Sequence, residues 1–151
     1  MIKRFSNRVL IIDGQGGNMG RQLVEQLLPQ SNVTLEITVV GTNAIATANM
    51  LKASSLVQGA TGENAVVVAA RKADIIVGPV GIVMADALMG EITPTMANAV
   101  AQSHAYKVLL PVNKCGHFIV GIRDDSMSQL INQAVREVMA AAEWIDNRPS
   151  F

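Results

Sequence analysis

The chain has 151 residues, and its 12 lysines and arginines balance 12 aspartates and glutamates, so the formal net charge is zero. That length can bury about two-thirds of the unfolded surface without a disulfide or metal staple, and the even charge offers neither a basic face for nucleic acid nor an acidic tail. Only 16% of residues are charged and 50% are hydrophobic, against about 25% charged in an average protein, so a homo-oligomer is expected to cover part of the apolar surplus.

The single Cys115 cannot form an intramolecular disulfide, and an unpaired thiol suits a reducing compartment, so a cytoplasmic location is expected. The apolar run Val9 to Ile12 is too short for a signal-peptide core or a membrane span, and no membrane partner is expected. There is no internal repeat or Pro/Ser-rich linker. Residues 1–151 therefore read as one nucleotide-binding-like domain, with 1–7 loosely ordered.

Val9-Leu-Ile-Ile12 is a continuous apolar run, as expected for a strand covered on both faces. The period then changes: Met19, Leu23, Leu27 and Leu28 predict a helix over Asn18 to Leu28, stopped by Pro29. A second strand, Leu35 to Val40, ends at Gly41-Thr42-Asn43, where Thr42 or Asn43 caps a helix over Ala44 to Lys52. Ser54 to Gly62 reads as loop. Glu63 to Lys72 reads as a helix despite the strand-favouring Val66-Val-Val68, because Glu63 and Arg71-Lys72 suit the two ends of a helix dipole.

Ile75-Ile-Val77 is the next strand, ended by Gly78-Pro79-Val80-Gly81. A helix over Ile82 to Met89 and another from the Thr93 cap and Pro94 to Ala105 follow. Val108 to Val112 and Phe118 to Ile122 read as strands. The residues Asn113 to His117 between them are too few for a parallel crossover, so these two strands are expected to pair as an antiparallel edge hairpin, with Pro111 marking an edge or bulge. The capping box Ser126/Gln129 and the stripe Met127, Leu130, Ile131, Ala134, Val138, Ala142, Ile145 predict a C-terminal helix. The fold class is α/β, a Rossmann-like or flavodoxin-like domain with a mostly parallel sheet.

Chemistry is most strongly suggested by Asp13-Gly14-Gln15-Gly16-Gly17-Asn18-Met19-Gly20, placed between a buried strand and a helix. Glycines there let the backbone turn and approach a phosphate, and the unpaired amides and positive dipole end of the helix attract the anion. Met19 stands where G-x-G-x-x-G needs glycine. Gly14, Gly17 and Gly20 instead give G-x-x-G-x-x-G, which resembles the phosphate loop of extended short-chain dehydrogenases; a tight turn without a ligand is the alternative. A dinucleotide fold would place an acid for the ribose hydroxyls about 20 residues later, but the second strand ends in Gly41-Thr42-Asn43 and Glu36 lies inside it. NADP or a mononucleotide is therefore favoured over NAD. Asp13 would repel a phosphate beside it unless a metal, an amine or a hydroxyl relieves the charge, or its side chain turns back onto the loop's own amides.

The carboxyl-end loops of an open α/β sheet converge on one crevice, which adds Thr42, Asn43, Thr61 to Asn64, Gly78, Pro79 and Asn113-Lys114-Cys115 as candidates. Lys114 could hold a phosphate or act as an acid and Cys115 could be a nucleophile; a hairpin lysine and a small buried thiol are the alternatives. Asp86, on an otherwise apolar predicted helix, needs a partner or an interface. His104 and His117 lack metal-ligand spacing, so no metal is expected. The chain has no Walker, HExxH, C-x-x-C or G-x-S-x-G motif, and no Tyr-x-x-x-Lys, since Leu110 follows Tyr106 at that spacing.

Ile12-Asp-Gly-Gln-Gly-Gly17, Gly41-Thr-Asn-Ala44, Gly59-Ala-Thr-Gly-Glu-Asn64, Ala73-Asp-Ile-Ile-Val-Gly-Pro79, Gly90-Glu-Ile-Thr-Pro94 and Leu110-Pro-Val-Asn-Lys-Cys115 together resemble a short bacterial family known only as a domain of unknown function. The resemblance spans Val9 to Ile122. It implies a compact bacterial cytosolic protein with a Rossmann-like fold, and it brings no activity to carry over. Two classes stand beside each other: an enzyme binding a phosphorylated small ligand, such as an NADP-linked oxidoreductase, and a non-catalytic nucleotide or metabolite sensor.

Overall fold

The computed structural model describes residues 7–30, 34–112, 114 and 116–149. Five strands, β1 (Asn7–Asp13), β2 (Leu35–Gly41), β3 (Gln58–Thr61), β4 (Ile75–Pro79) and β5 (Tyr106–Leu110), form one sheet in the order β3-β2-β1-β4-β5. Every pairing is parallel. This is the strand order of the Rossmann arrangement rather than the flavodoxin one. The chain leaves β1 toward β2 on one side and later returns to place β4 on the other, so the switch point of the sheet lies at the carboxyl end of β1.

Alternation along the strands divides the core. Val9, Ile11, Val39, Ile75, Val77 and Val108 point toward α1 (Asn18–Leu27), α2 (Ala44–Leu51) and α5 (Met127–Asp146). Leu10, Ile12, Val40 and Ile76 face α3 (Glu63–Lys72) and α4 (Pro94–Gln102). With both faces covered, the central strands carry continuous apolar runs, as a parallel sheet requires. The caps read from sequence are present: Thr93 Oγ1 accepts from Met96 N–H, with Pro94 in the first turn, and Ser126 and Gln129 close a reciprocal box on α5.

Five expectations are corrected. Gln58–Thr61 is a strand although Gln-Gly-Ala-Thr has no apolar alternation; its four residues are all exposed, and backbone pairing to Thr38–Gly41, with the Thr47 hydroxyl of α2 on Ala60 O and Thr61 Oγ1, holds this edge. The predicted helix Ile82 to Met89 is replaced by a single 3-10 turn, Val80–Val83, and a run of turns to Glu91. There Asp86, Leu88, Met89 and Gly90 adopt left-handed backbone, and Ile92 N–H reaches Ala87 O while Asp86 N–H reaches Ile92 O, bonds incompatible with a continuous helix. The apolar spacing reflected burial of Ile82, Ala87 and Leu88 beneath the sheet end, not helical periodicity.

The antiparallel hairpin does not form, since Phe118 to Ile122 is in no strand among the described residues. Gly116 before it and Gly121 within it take positive φ, and Phe118 and Val120 stand exposed. Pro111 follows β5, which is an edge strand, as proline requires. Asn7, expected in a loose terminus, is buried in β1 and donates from Nδ2 to Asp146 Oδ1 and the Ala142 carbonyl of α5. The fourth helix ends at Gln102 rather than Ala105, where Ser103 Oγ turns to donate to Ala70 O.

Helix α5 is anchored by the fully buried Ile131, whereas Trp144 on the same helix is exposed. Ile131→Ala is expected to cost about 2–5 kcal/mol and Trp144→Ala less than about 1 kcal/mol, as urea denaturation midpoints will show.

Candidate functional site

Register places the ends of the first two strands side by side, Asp13 opposite Gly41. Asp13 is buried, and its carboxylate spans the loop that follows: Oδ1 accepts from Gly14 N–H and Oδ2 from Gly20 N–H, both at 2.8 Å. Of the two sequence readings, the side chain therefore takes the one that turns back onto the loop. Burial pushes the Asp13 carboxyl above its ordinary range; the amides of Gly20 and Gly14 oppose that, and the nearby charge of Glu91 adds to it.

Between these two fixed points the backbone makes a turn, with Gly17 N–H on Gly14 O and Gln15 in the left-handed region. Among the described residues, the amides of Gly16, Asn18 and Met19 have no protein acceptor. They sit at the start of α1, where unpaired N–H groups and the helix dipole favour an anion. Gln15, Gly16 and Asn18 are exposed, while Gly14, Gly17, Met19 and Gly20 are buried.

The glycines serve different purposes. A Cβ on Gly17, at φ +76°, would stand 2.5 Å from the Ala46 carbonyl oxygen, and one on Gly20 would meet the Met50 sulfur, so both glycines let α2 pack against the loop. A Cβ on Gly14 would lie 2.8 Å from Leu88 and from Thr42 Oγ1. Gly16 alone of the four has open space in front of it, the nearest atom being Asn18 Nδ2 at 3.8 Å. A side chain on Gly17 would therefore collide with α2 rather than with a ligand approaching the loop.

Thr42 and Asn43 converge on the same place from the end of β2. Asn43 Oδ1 caps α2 at Ala46 N–H, and its Nδ2 donates to Gln15 O at 3.0 Å. Two residues that sequence reasoning did not select complete the arrangement. Asn49 of α2 donates to Gly16 O at 2.9 Å and Asn18 Oδ1 at 2.7 Å. Glu91, from the turns after β4, accepts from Gln15 N–H at 3.1 Å, Thr42 Oγ1 at 3.0 Å and Asn43 Nδ2. A carboxylate thus stands beside the end of the second strand, brought there by a residue 49 positions beyond Thr42. Its only sequence signal was its place in a loop following a strand's carboxyl end.

Other candidates lie apart from this cluster. Gly78 and Pro79 are buried within β4, where a Cβ on Gly78 would run into the Ile12 carbonyl of β1. Lys114 is in a turn whose carbonyl accepts from His117 N–H at 3.0 Å and faces His117 Nδ1 at 2.8 Å; no hydrogen bond links it to the glycine loop among the described residues. Asn113 and Cys115 fall outside the described residues. Asp86 is exposed, so it is not an acid enclosed in an apolar helix. Among the described residues, no group of three His, Cys, Asp or Glu side chains could hold a metal ion, and no helix is long and apolar enough to cross a membrane.

A family model described as Domain of unknown function (DUF3842) matches residues 8–143. The chain belongs to the DUF3842 family. No curated protein matches it. Among solved structures, this DUF3842 chain is similar to a short-chain dehydrogenase/reductase (wide type) from Veillonella parvula DSM 2008 in complex with NADP. The identity is 14% and the TM-score 0.49, over 88% of this chain and 65% of the reductase. A short-chain dehydrogenase/reductase (ethylated) from the same organism gives 13% identity and a TM-score of 0.48 over 89% of this chain and 64% of that one. The chain thus spans just under two thirds of either reductase chain. A dodecameric FMN-dependent Ubix-like decarboxylase from Escherichia coli O157:H7 gives 12% identity and a TM-score of 0.43 over 89% of this chain and 92% of that one.

Two measurements test the loop's construction. Asp13→Ala leaves two buried amides unpaired and is expected to cost about 1–3 kcal/mol in denaturant unfolding at neutral pH. Because burial raises the folded-state pKa of Asp13, the folded protein binds this proton more tightly than the unfolded chain. Its contribution to stability therefore falls as pH rises from the ordinary carboxylate range through the folded pKa. Asp13→Asn should remove that component from a pH series of unfolding free energies.

Proposed function

We propose that this DUF3842 protein binds a nucleotide or another phosphorylated small molecule through the loop Asp13 to Gly20. The observation that carries this reading is the set of unpartnered amides of Gly16, Asn18 and Met19 at the start of α1, beside an open Gly16 and at the switch point of the sheet. Asp13 contributes by holding the loop rather than by contact with the ligand, and Gly14, Gly17 and Gly20 contribute by allowing the close packing of Leu88, Thr42, α2 and Met50. Thr42 and Asn43 line the side of the seat toward β2. Gly78 and Pro79, buried in the sheet, support the seat from behind.

An NADP-linked oxidoreductase is one form of this activity, with Lys114 and Cys115 as the residues that would face a substrate. A non-catalytic nucleotide or metabolite sensor is the other, favoured by the location of every described contact at the glycine loop in binding elements rather than at a reactive side chain. Assembly into a homo-oligomer is part of the same proposal. The apolar side chains Ile82, Ala87 and Leu88 are buried within the chain and do not drive it; the exposed ones include Phe118, Val120, Ile122 and Met127, along with Ile45, Leu56, Met89 and Trp144. A cytoplasmic setting fits the single cysteine.

Calorimetry with NADP, NAD, ATP, AMP and coenzyme A tests the ligand class. Gly16→Val fills the open approach without touching α2, so it should weaken binding by at least about tenfold while leaving the melting temperature within a few degrees. Gly17→Val should instead lower stability. Binding unchanged in a folded Gly16→Val protein overturns the phosphate-loop reading. Slow alkylation of Cys115 irrespective of ligand, with turnover unchanged in Cys115→Ser and Lys114→Met, would remove the thiol and amine from any mechanism.

A further inference from the structure

The carboxylate of Glu91 is held in an unusual way for a partly exposed acid. Its partners are three neutral donors from two separate elements: the backbone amide of Gln15 in the glycine loop, and the Thr42 hydroxyl and Asn43 amide at the end of β2. No lysine or arginine pairs with it among the described residues, where the ion pairs are Arg8–Asp74 and Arg21–Glu25. Converging neutral N–H and O–H groups around an oxyanion are the chemistry of a phosphate or carboxylate site. Here the anion comes from the protein itself.

The segment that delivers Glu91 keeps a strained backbone to do so. Asp86, Leu88 and Met89 have φ of 65°, 56° and 57°, a region that L-residues adopt at a cost, and strain of this kind persists where the surrounding structure holds it in place. Leu88 and Ile92 anchor the segment in the core, and Leu88 lies against Gly14. Met89 and Gly90 just before Glu91 are exposed. Rotation of the Glu91 side chain toward solvent therefore empties the three donors without uncovering either anchor.

We propose that Glu91 is a tethered stand-in for a ligand anion, closing the donors of Gln15, Thr42 and Asn43 until a phosphorylated ligand displaces it. The inference rests on the phosphate-loop reading and adds a built-in competitor to it. A phosphate reaching the free amides of Gly16, Asn18 and Met19 meets the carboxylate on the neighbouring Gln15 amide, and two anions at adjoining donors repel. Ligand binding and release of Glu91 are then one equilibrium, and apparent affinity falls by the fraction of molecules in which the seat is open.

The test uses the full chain, isotope-labelled, titrated with ADP and with inorganic phosphate and followed at the amides of Gln15, Gly16, Asn18 and Met19. Glu91→Gln removes the charge and keeps the shape; Glu91→Ala empties the seat. Both variants should bind ADP at least about tenfold more tightly than the unmodified protein, which corresponds to a seat closed in about nine of ten molecules. The Gln15 amide should then shift together with the others. Equal affinity in all three proteins, with ADP still perturbing the loop and still sensitive to Gly16→Val, overturns this inference and leaves the phosphate-loop reading standing. Weaker binding in Glu91→Gln also overturns it, because the acid would then be receiving hydroxyls of the ligand. Failure of ADP and phosphate to perturb the loop in any of the proteins overturns both.

Discussion

One buried carboxylate governs how the carboxyl end of the sheet is built. Asp13 closes β1, and placing its charge in the core is tolerable only because the next backbone amide and the amide seven residues on both point at it. The loop between those amides has its ends fixed by the same group, so α1 begins at a set point above the central strand. The middle of the loop cannot also turn its N–H groups inward. Those of Gly16, Asn18 and Met19 remain at the start of the helix without a protein acceptor among the described residues, and the proposed seat follows from the way Asp13 is satisfied.

The second strand and its helix depend on that geometry. With Asp13 in register with Gly41, Thr42 N–H bonds Asp13 O, and Asn43 both caps α2 and reaches back to the loop. α2 then lies so close to the loop that Gly17 and Gly20 have no room for side chains. A glycine-rich strand-to-helix sequence thus mixes two physical demands, close packing of helices and access for a ligand. At Gly17 and Gly20 the first is satisfied, and at Gly16 the space for the proposed ligand is left open.

The turns after β4 bring the remaining component. A segment of apolar residues that would form a helix if spacing alone decided is instead folded into left-handed turns, because Ile82, Ala87, Leu88 and Ile92 all find burial at the sheet end in that form. The burial of four apolar side chains outweighs local backbone preference. The by-product is a carboxylate beside the loop, set where the second strand ends.

The sequence by itself determined the alternation of strands and helices, the parallel central sheet, the caps at Thr93 and Ser126 and the position of the glycine loop. Each of these rests on local periodicity or on contacts within a few residues. It did not determine β3, whose four exposed residues are ordered by hydrogen bonds to β2 and to Thr47 of α2, nor the absence of a strand at Phe118 to Ile122, where β-forming side chains lie near glycines at positive φ. The candidate site divides in the same way. Asp13 to Gly20, Thr42 and Asn43 were legible because strand ends and turns announce themselves in sequence. Asn49 and Glu91 were not, because the hydrogen bonds that give them a role join residues 28 or more apart, and only the packing of α2 and of the turns after β4 onto the sheet decides which distant polar side chain reaches the loop.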